Sequence, residues 1–151
     1  MNHDHARSLL QQNLAELANA RRHLAYSFQQ VAGLPDSLQD VTERQLESTE
    51  AFTGRFARAV DLLINKVLRS LDRAELRSDG SLLDVVNRAE KRGFVAHAAI
   101  LREMKDVRNM IAHDYAGAKA AEVFAYCRQQ MPAFDAICEL AISYATRLLS
   151  A

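Results

Sequence analysis

The segment from residue 108 to residue 115, Arg-Asn-Met-Ile-Ala-His-Asp-Tyr, places side chains suited to phosphate chemistry close together in the chain. The guanidinium of Arg108 stays charged in proteins, and its planar fork matches the oxygens of a phosphate group. The imidazole of His113 titrates near neutral pH, so it can accept or donate a proton during a reaction. These residue types suit a site that binds and reacts with a phosphate group.

Arg108 and His113 cannot share one face of an ideal helix. Residues five positions apart are rotated by about 140° around the helix axis, whereas Asn109 and His113, four positions apart, lie on the same side. A site that needs Arg108 and His113 can be completed by a slight unwinding near His113, or by the same segment of a second subunit across a two-fold axis. The second arrangement is favoured, because acid–base cleavage of RNA profits from two histidines and one chain supplies one here. The segment thus predicts a homodimer.

The same segment also fits a helix end with no catalytic role. Arg108 would then pair with an acid such as Asp106 or Asp114. His113 would stabilise the negative, carboxyl-terminal end of the helix dipole. The residues alone favour this interpretation.

The segment resembles the R-x4-H motif of the HEPN superfamily, in the form with Asn after Arg and His-x-Tyr at the end that is found in HepT-like toxins. The R-x4-H spacing alone is weakly specific, but Asn109, Tyr115 and the helical context make the resemblance strong. A long second helix, a short helix before Gly93-Phe94 and the position of the motif also follow that family's layout over most of the chain. The resemblance implies an all-α, HEPN-like fold, an up-and-down bundle of four to five helices.

The resemblance further implies an endoribonuclease that needs no metal and no other cofactor. In that mechanism His113 takes the proton from a ribose 2′-hydroxyl, which attacks the adjacent phosphate, and Arg108 donates to the phosphoryl oxygens as negative charge builds up. Asn109 would orient a partner side chain or the phosphate, or it would be a surface amide without a role. Asp114 is a further supporting residue of this expected site.

Tyr115 is implied by the same resemblance to be the residue that a partner nucleotidyltransferase antitoxin adenylylates. An AMP group beside His113 would add negative charge and bulk where the phosphate of an RNA substrate must lie. The alternative for Tyr115 is a buried ring with a bonded hydroxyl. The alternative for the whole protein is a non-catalytic accessory subunit that holds a nucleotide or substrate for a nucleotidyltransferase.

The composition favours helix almost everywhere, since the chain has five glycines and two prolines among its 151 residues. Apolar spacing predicts helices from about Asp4 to Val31, Asp40 to Arg73, Leu82 to Arg92, from near Val95 to Gly117, and from about Ala118 to Leu149. Ser81 is expected to cap the short helix, and Gly117 is expected to end the fourth one.

Apolar stripes on these helices predict a common core. The expected stripe of the first helix is Leu10, Leu14, Leu17, Leu24 and Phe28; that of the second is Phe52, Phe56, Val60, Leu63, Val67 and Leu71. The last helix is expected to bury Val123, Tyr126, Ile137, Leu140, Ile142 and Tyr144.

The charge balance excludes a chain that is drawn to nucleic acid by a global positive field. Lys plus Arg number 19 and Asp plus Glu number 19, so any RNA contact must be local. Arg69, Arg73 and Arg77 recur every four residues and can line a helix face that tracks phosphates, although a solvated face is the more usual explanation. The length predicts a single domain over residues 1–151.

The two cysteines point to a reducing compartment. Cys127 and Cys138 lie eleven residues apart on one expected helix, which separates them by about 16 Å, too far for a disulfide. The polar opening residues do not form a signal-peptide pattern, and no apolar run is long enough for a membrane span. These features predict a cytoplasmic protein that does not associate with membranes.

Overall fold

The computed structural model describes residues 3–113 and 116–151. Within these residues the chain forms helices and no strand, and the elements in chain order are α1 (His3–Gln30), α2 (Glu43–Asp61), a π-helical segment (Leu62–Leu68), α3 (Arg69–Ala74), α4 (Leu82–Lys91), α5 (Ala98–Ala112) and α6 (Ala116–Ser150). The backbone keeps right-handed helical angles across both ends of the π-helical segment, so residues 43–74 form one long helix. The predicted all-α class is confirmed.

The helices pack as a bundle in which α2 and α5 are direct neighbours. α1 lies against α2, the π-helical segment and α3, while α4 packs against α5. α6 contacts α1, α2 and α5. None of the helices in the described ranges is both long enough and apolar enough to cross a membrane.

Two capping boxes fix where helices begin. The hydroxyl of Thr42 accepts from the N–H of Gln45 at 3.1 Å, and the Gln45 side chain accepts from the N–H of Thr42 at 2.9 Å. Ser81 and Asp84 repeat this exchange at 3.2 and 2.9 Å at the start of α4. Because helix starts leave N–H groups without intrahelical partners, each box stabilises its helix at the first turn. The cap predicted at Ser81 is confirmed.

The core is built from the apolar stripes of the long helices. The expected stripe of the second helix is entirely buried and consists of Phe52, Phe56, Val60, Leu63, Val67 and Leu71. On α1, Leu10, Leu17 and Leu24 are buried, while Leu14 and Phe28 pack against the core from partly buried positions. Helical periodicity therefore predicted these two inner faces correctly.

Helix α6 buries a set of residues that differs in part from the predicted one. The predicted burial of Leu140 is wrong, since this residue is 48% exposed while Cys138 and Ala141 are fully buried. Leu140 lies on the outer side because the buried residues of this part of α6 follow the spacing from Cys138 to Ala141 and Ala145. Cys127 and Cys138 carry no disulfide and are both buried, which raises the pKa of each thiol to about 12.

The π-helical segment interrupts the long helix directly after α2. Its Lys66 backbone oxygen accepts from Nδ2 of Asn13 at 3.2 Å and from Oγ of Ser70 at 2.6 Å. Asn13 is itself buried, so this amide supports the irregular backbone from within the core. Short π-helical stretches are rare and frequently lie at functional sites. This one directly follows Asp61 and contains Asn65.

Helix α5 ends before Gly117. It stops at Ala112, and Gly117 lies inside α6, so the prediction that this glycine ends the fourth helix is wrong. A single glycine is tolerated within a helix. Here α5 already ends at Ala112, before Gly117 is reached. His113 caps α5 with φ −92° and ψ 9°, and its N–H donates to the backbone oxygen of Asn109 at 3.1 Å. The 108–115 segment therefore extends past the end of a helix.

Candidate functional site

Asp61, the last residue of α2, has three polar partners at one carboxylate oxygen. Its Oδ1 lies 2.7 Å from Nδ2 of Asn65, 3.3 Å from Nζ of Lys105 and 3.5 Å from Nε of Arg108. Asn65 belongs to the π-helical segment, whereas Lys105 and Arg108 lie about one turn apart on α5. The carboxylate thus joins the two helices where the 108–115 segment begins.

The ionisation of Asp61 reflects a balance of opposing effects. Partial burial works against the negative charge, because it removes water from the carboxylate. Hydrogen bonds from Asn65 and Lys105, together with the positive charge of Arg108, outweigh the burial and hold the pKa of Asp61 below its ordinary value. The carboxylate is therefore ionised at neutral pH and attracts both cations.

Arg108 is half-buried, with 31% of its side-chain surface exposed. Its Nη1 donates to Oδ1 of the adjacent Asn109 at 3.3 Å. Among the described residues, the acid that pairs with Arg108 is Asp61, on a neighbouring helix, rather than Asp106 on its own helix. The guanidinium thus has an anionic partner on one side and keeps part of its surface open to solvent.

His113 is exposed at the end of α5. Its backbone angles lie in the sparsely populated bridge region, where many active-site residues are found. Helix α5 therefore ends at His113, its cap. Asp114 and Tyr115, the expected supporting and modified residues, lie outside the described residues.

A groove of about 630 Å³ runs beside the 108–115 segment. Met110 and Ile111, from the middle of that segment, line the groove together with residues of α2 such as Thr49, Glu50 and Thr53. The volume is typical of cavities that hold small molecules. The segment therefore lies next to Asp61 with its partners Asn65 and Lys105, and also next to a space large enough for a ligand.

The basic stripe at Arg69, Arg73 and Arg77 has a structural explanation for two of its members. Nη1 of Arg69 donates to the backbone oxygen of Gly80 at 2.8 Å, and Nε of Arg73 pairs with Asp79 at 3.0 Å. Both arginines thereby fasten the loop that precedes α4. These contacts favour a structural role over tracking of phosphates.

Asp61, Asn65 and Lys105 are not recognisable as site residues from the sequence. Polar residues three or four positions apart occur on almost every helix surface, so their spacing carried no specific signal. Lys105 and Asp61 are 44 positions apart in the chain, and their contact depends on how α5 packs against α2. The helical pattern of a single sequence predicts that two helices pack together. It does not predict which of their polar residues come into contact.

A comparison with protein families finds a match that spans most of the chain. A family model described as ribonuclease HepT-like matches residues 27–141. No curated protein and no solved structure matches the chain. The matched range covers well over half of the sequence, from the end of α1 into α6, and includes Asp61, Lys105 and the whole 108–115 segment.

Proposed function

The chain belongs to the HepT-like ribonuclease family, and on this premise we propose that it is a metal-independent endoribonuclease of a toxin–antitoxin pair. The observation that supports the proposal is the placement of Arg108 near the end of α5, paired with Asp61 and still partly open to solvent. A guanidinium in that state can receive a phosphate without a large rearrangement. Residues 1–151 would form one domain with this site.

In the proposed reaction His113 takes the proton from a ribose 2′-hydroxyl, and the 2′ oxygen attacks the adjacent phosphorus. The bond between phosphorus and the 5′ oxygen breaks, and the 5′ oxygen leaves with a proton from a second imidazole. The products are a 2′,3′-cyclic phosphate and a 5′-hydroxyl. Arg108 stabilises the negative charge that develops on the phosphoryl oxygens, and Asn109 orients the guanidinium through the contact to Nη1.

The second imidazole would come from a second copy of the chain in a homodimer. One chain offers one histidine in this segment, and the exposed His113 at a helix end is accessible to another subunit. Sedimentation at micromolar concentration tests this part separately. A monomer that still cuts RNA would show that one chain is sufficient.

Neutralisation is proposed to occur at Tyr115. A nucleotidyltransferase antitoxin would transfer AMP from ATP to the phenolic oxygen, with pyrophosphate as the leaving group. The added phosphate would repel the RNA backbone beside His113. Asp114, between His113 and Tyr115 in the chain, would help to orient the segment. The mass of the intact protein, measured with and without the partner enzyme, detects this modification directly.

The decisive test is cleavage of single-stranded RNA in the presence of EDTA. We expect the unmodified protein to cleave, and His113→Ala and Arg108→Ala each to lower the rate by at least about a hundredfold. His97→Ala and Arg102→Ala are matched controls, because both residues are exposed at other positions of the same helix region. Cleavage that survives both site substitutions would contradict the proposal.

One observation supports a second candidate function. The groove of about 630 Å³ beside Met110 and Ile111 is of a size to hold a nucleotide, as a non-catalytic accessory subunit of a nucleotidyltransferase would. Tight binding of a nucleotide or of the partner enzyme, with no RNA turnover at high protein concentration, would favour this candidate over the ribonuclease.

A further inference from the structure

Asp61 lies outside the 108–115 segment but contacts it through Arg108. The distance from Asp61 Oδ1 to Nε of Arg108 is 3.5 Å, and the same oxygen accepts from Lys105 and Asn65 at 3.3 and 2.7 Å. Asn65 and Lys105 therefore hold the carboxylate by hydrogen bonds, and its negative charge attracts the guanidinium of Arg108. Residues from α2, the π-helical segment and α5 all take part in this arrangement.

Arg108 faces Asp61 with its Nε, not with its terminal nitrogens. The ion pair uses Nε, and Nη1 donates to Asn109 at 3.3 Å, which is a long hydrogen bond. A phosphate binds a guanidinium through two parallel N–H groups. Contact at Nε therefore orients the side chain, and Nη2 and the second N–H of Nη1 can be offered to a phosphate.

The charges of Lys105, Arg108 and Asp61 together determine how strongly this part of the site attracts an anion. Lys105 and Arg108 carry two positive charges and Asp61 carries one negative charge, so the three side chains have a net positive charge. Lys105 is largely buried, with 14% of its side-chain surface exposed, whereas Arg108 has 31% exposed. Without Lys105, Asp61 would neutralise Arg108 and weaken its attraction for an anion.

We propose that Asp61 is a positioning residue for Arg108, and that Lys105 is the balancing cation that keeps the positioned pair attractive to an RNA phosphate. This inference rests on the proposed ribonuclease function. Asp61 acts through Arg108 and does not touch the reacting atoms. Asn65 acts one step further away, because it orients Asp61 without changing the charge of the site.

The test is steady-state cleavage of an RNA oligonucleotide by Asp61→Asn, Lys105→Met and the double variant. We expect Asp61→Asn to lower kcat about tenfold without raising KM, because the arginine loses its orientation while the site gains positive charge. Lys105→Met should raise KM several-fold, because the cluster becomes neutral. In the double variant the net positive charge returns, so KM should fall back toward the wild-type value while kcat stays low.

Recovery of KM in the double variant is a result that a purely structural role does not produce. If these residues only stabilised the packing of α2 against α5, the two substitutions would add and the double variant would be the worst enzyme. Equal or higher KM in the double variant than in Lys105→Met would overturn the inference. Asp106→Asn and Arg102→Met are the matched controls, since they make the same charge changes at exposed positions of α5.

Asn65→Ala keeps the inference testable if Asp61→Asn fails to fold. It removes the 2.7 Å hydrogen bond to Asp61 and leaves every charge in place. We expect a lower kcat with an unchanged KM. An unchanged kcat in a folded Asn65→Ala protein would count against positioning through Asp61.

The failure of this inference and the failure of the proposed function give different results. If the wild type cleaves RNA and His113→Ala does not, but the Asp61 and Lys105 variants behave like wild type, only the inference fails. If the wild type does not cleave RNA at all, the function fails, and affinity for the same oligonucleotide at low salt becomes the measurement. Weaker binding by Lys105→Met with recovery in the double variant then supports the charge balance, and its absence overturns it.

Discussion

At the scale of single residues, the ion pair between Arg108 and Asp61 is not explained well by stability. Both side chains are about 30% exposed, and the Nε to Oδ1 distance is 3.5 Å. Exposed or half-exposed pairs of this kind usually contribute less than about 1 kcal/mol to folding. The pair holds a long, flexible cation in one direction instead, which is a property that a phosphate-binding site needs.

The substitution Arg108→Lys separates charge from geometry. Lysine keeps the positive charge but has no Nε contact and no fork, so we expect RNA cleavage to slow by about a hundredfold with little change in melting temperature. Initial rates at saturating RNA and a thermal melt measure the two effects. Arg102→Lys, at an exposed position of α5, is the control. A wild-type rate in the Arg108→Lys protein would show that charge alone is sufficient and that the fork has no role.

At the scale of the elements, the two long stripes were predictable because burial repeats with the period of the helix. Phe52 and Leu71, at opposite ends of one stripe, are both fully buried. The π-helical segment was not predictable, because it depends on support from Asn13, which lies 53 positions before Lys66. Arg108 and His113 were identified from residue type and spacing, whereas their neighbour Asp61 required the packing of two distant helices.

A single side chain, that of Ser81, caps the start of α4. Ser81 accepts from the N–H of Asp84 at 3.2 Å, and alanine cannot replace that bond. We expect Ser81→Ala to lower the free energy of unfolding by about 1 kcal/mol, measured by urea denaturation. Ser78→Ala in the same loop is the control, because the recorded contact of Ser78 uses its backbone oxygen. Equal effects of the two substitutions would mean that the cap contributes nothing measurable.

At the scale of the whole molecule, a buried ionic network joins the end of the long helix to two other helices. Asp72 is 3% exposed and accepts from Arg88 on α4 at 3.1 Å and from Arg92, the residue that follows α4, at 2.7 Å. Arg92 also pairs with Glu75 at 2.9 Å, and Glu75 accepts from the hydroxyl of Tyr144 on α6 at 2.8 Å. The network fixes α4 and α6 around the end of α3. None of the residues named in it belongs to the 108–115 segment.

Because Asp72 is the buried anion between two arginines, its removal leaves Arg88 without an anionic partner and the largely buried Arg92 with Glu75 alone. We expect Asp72→Ala to lower the free energy of unfolding by about 3 to 5 kcal/mol. Asp79→Ala removes the partner of Arg73 instead, and since Asp79 is 76% exposed the loss there should stay below about 1 kcal/mol. Urea denaturation of both variants measures the difference. Two equally small losses would mean that Arg88 and Arg92 reach water when Asp72 is absent, in which case apolar packing alone holds α4 against the bundle.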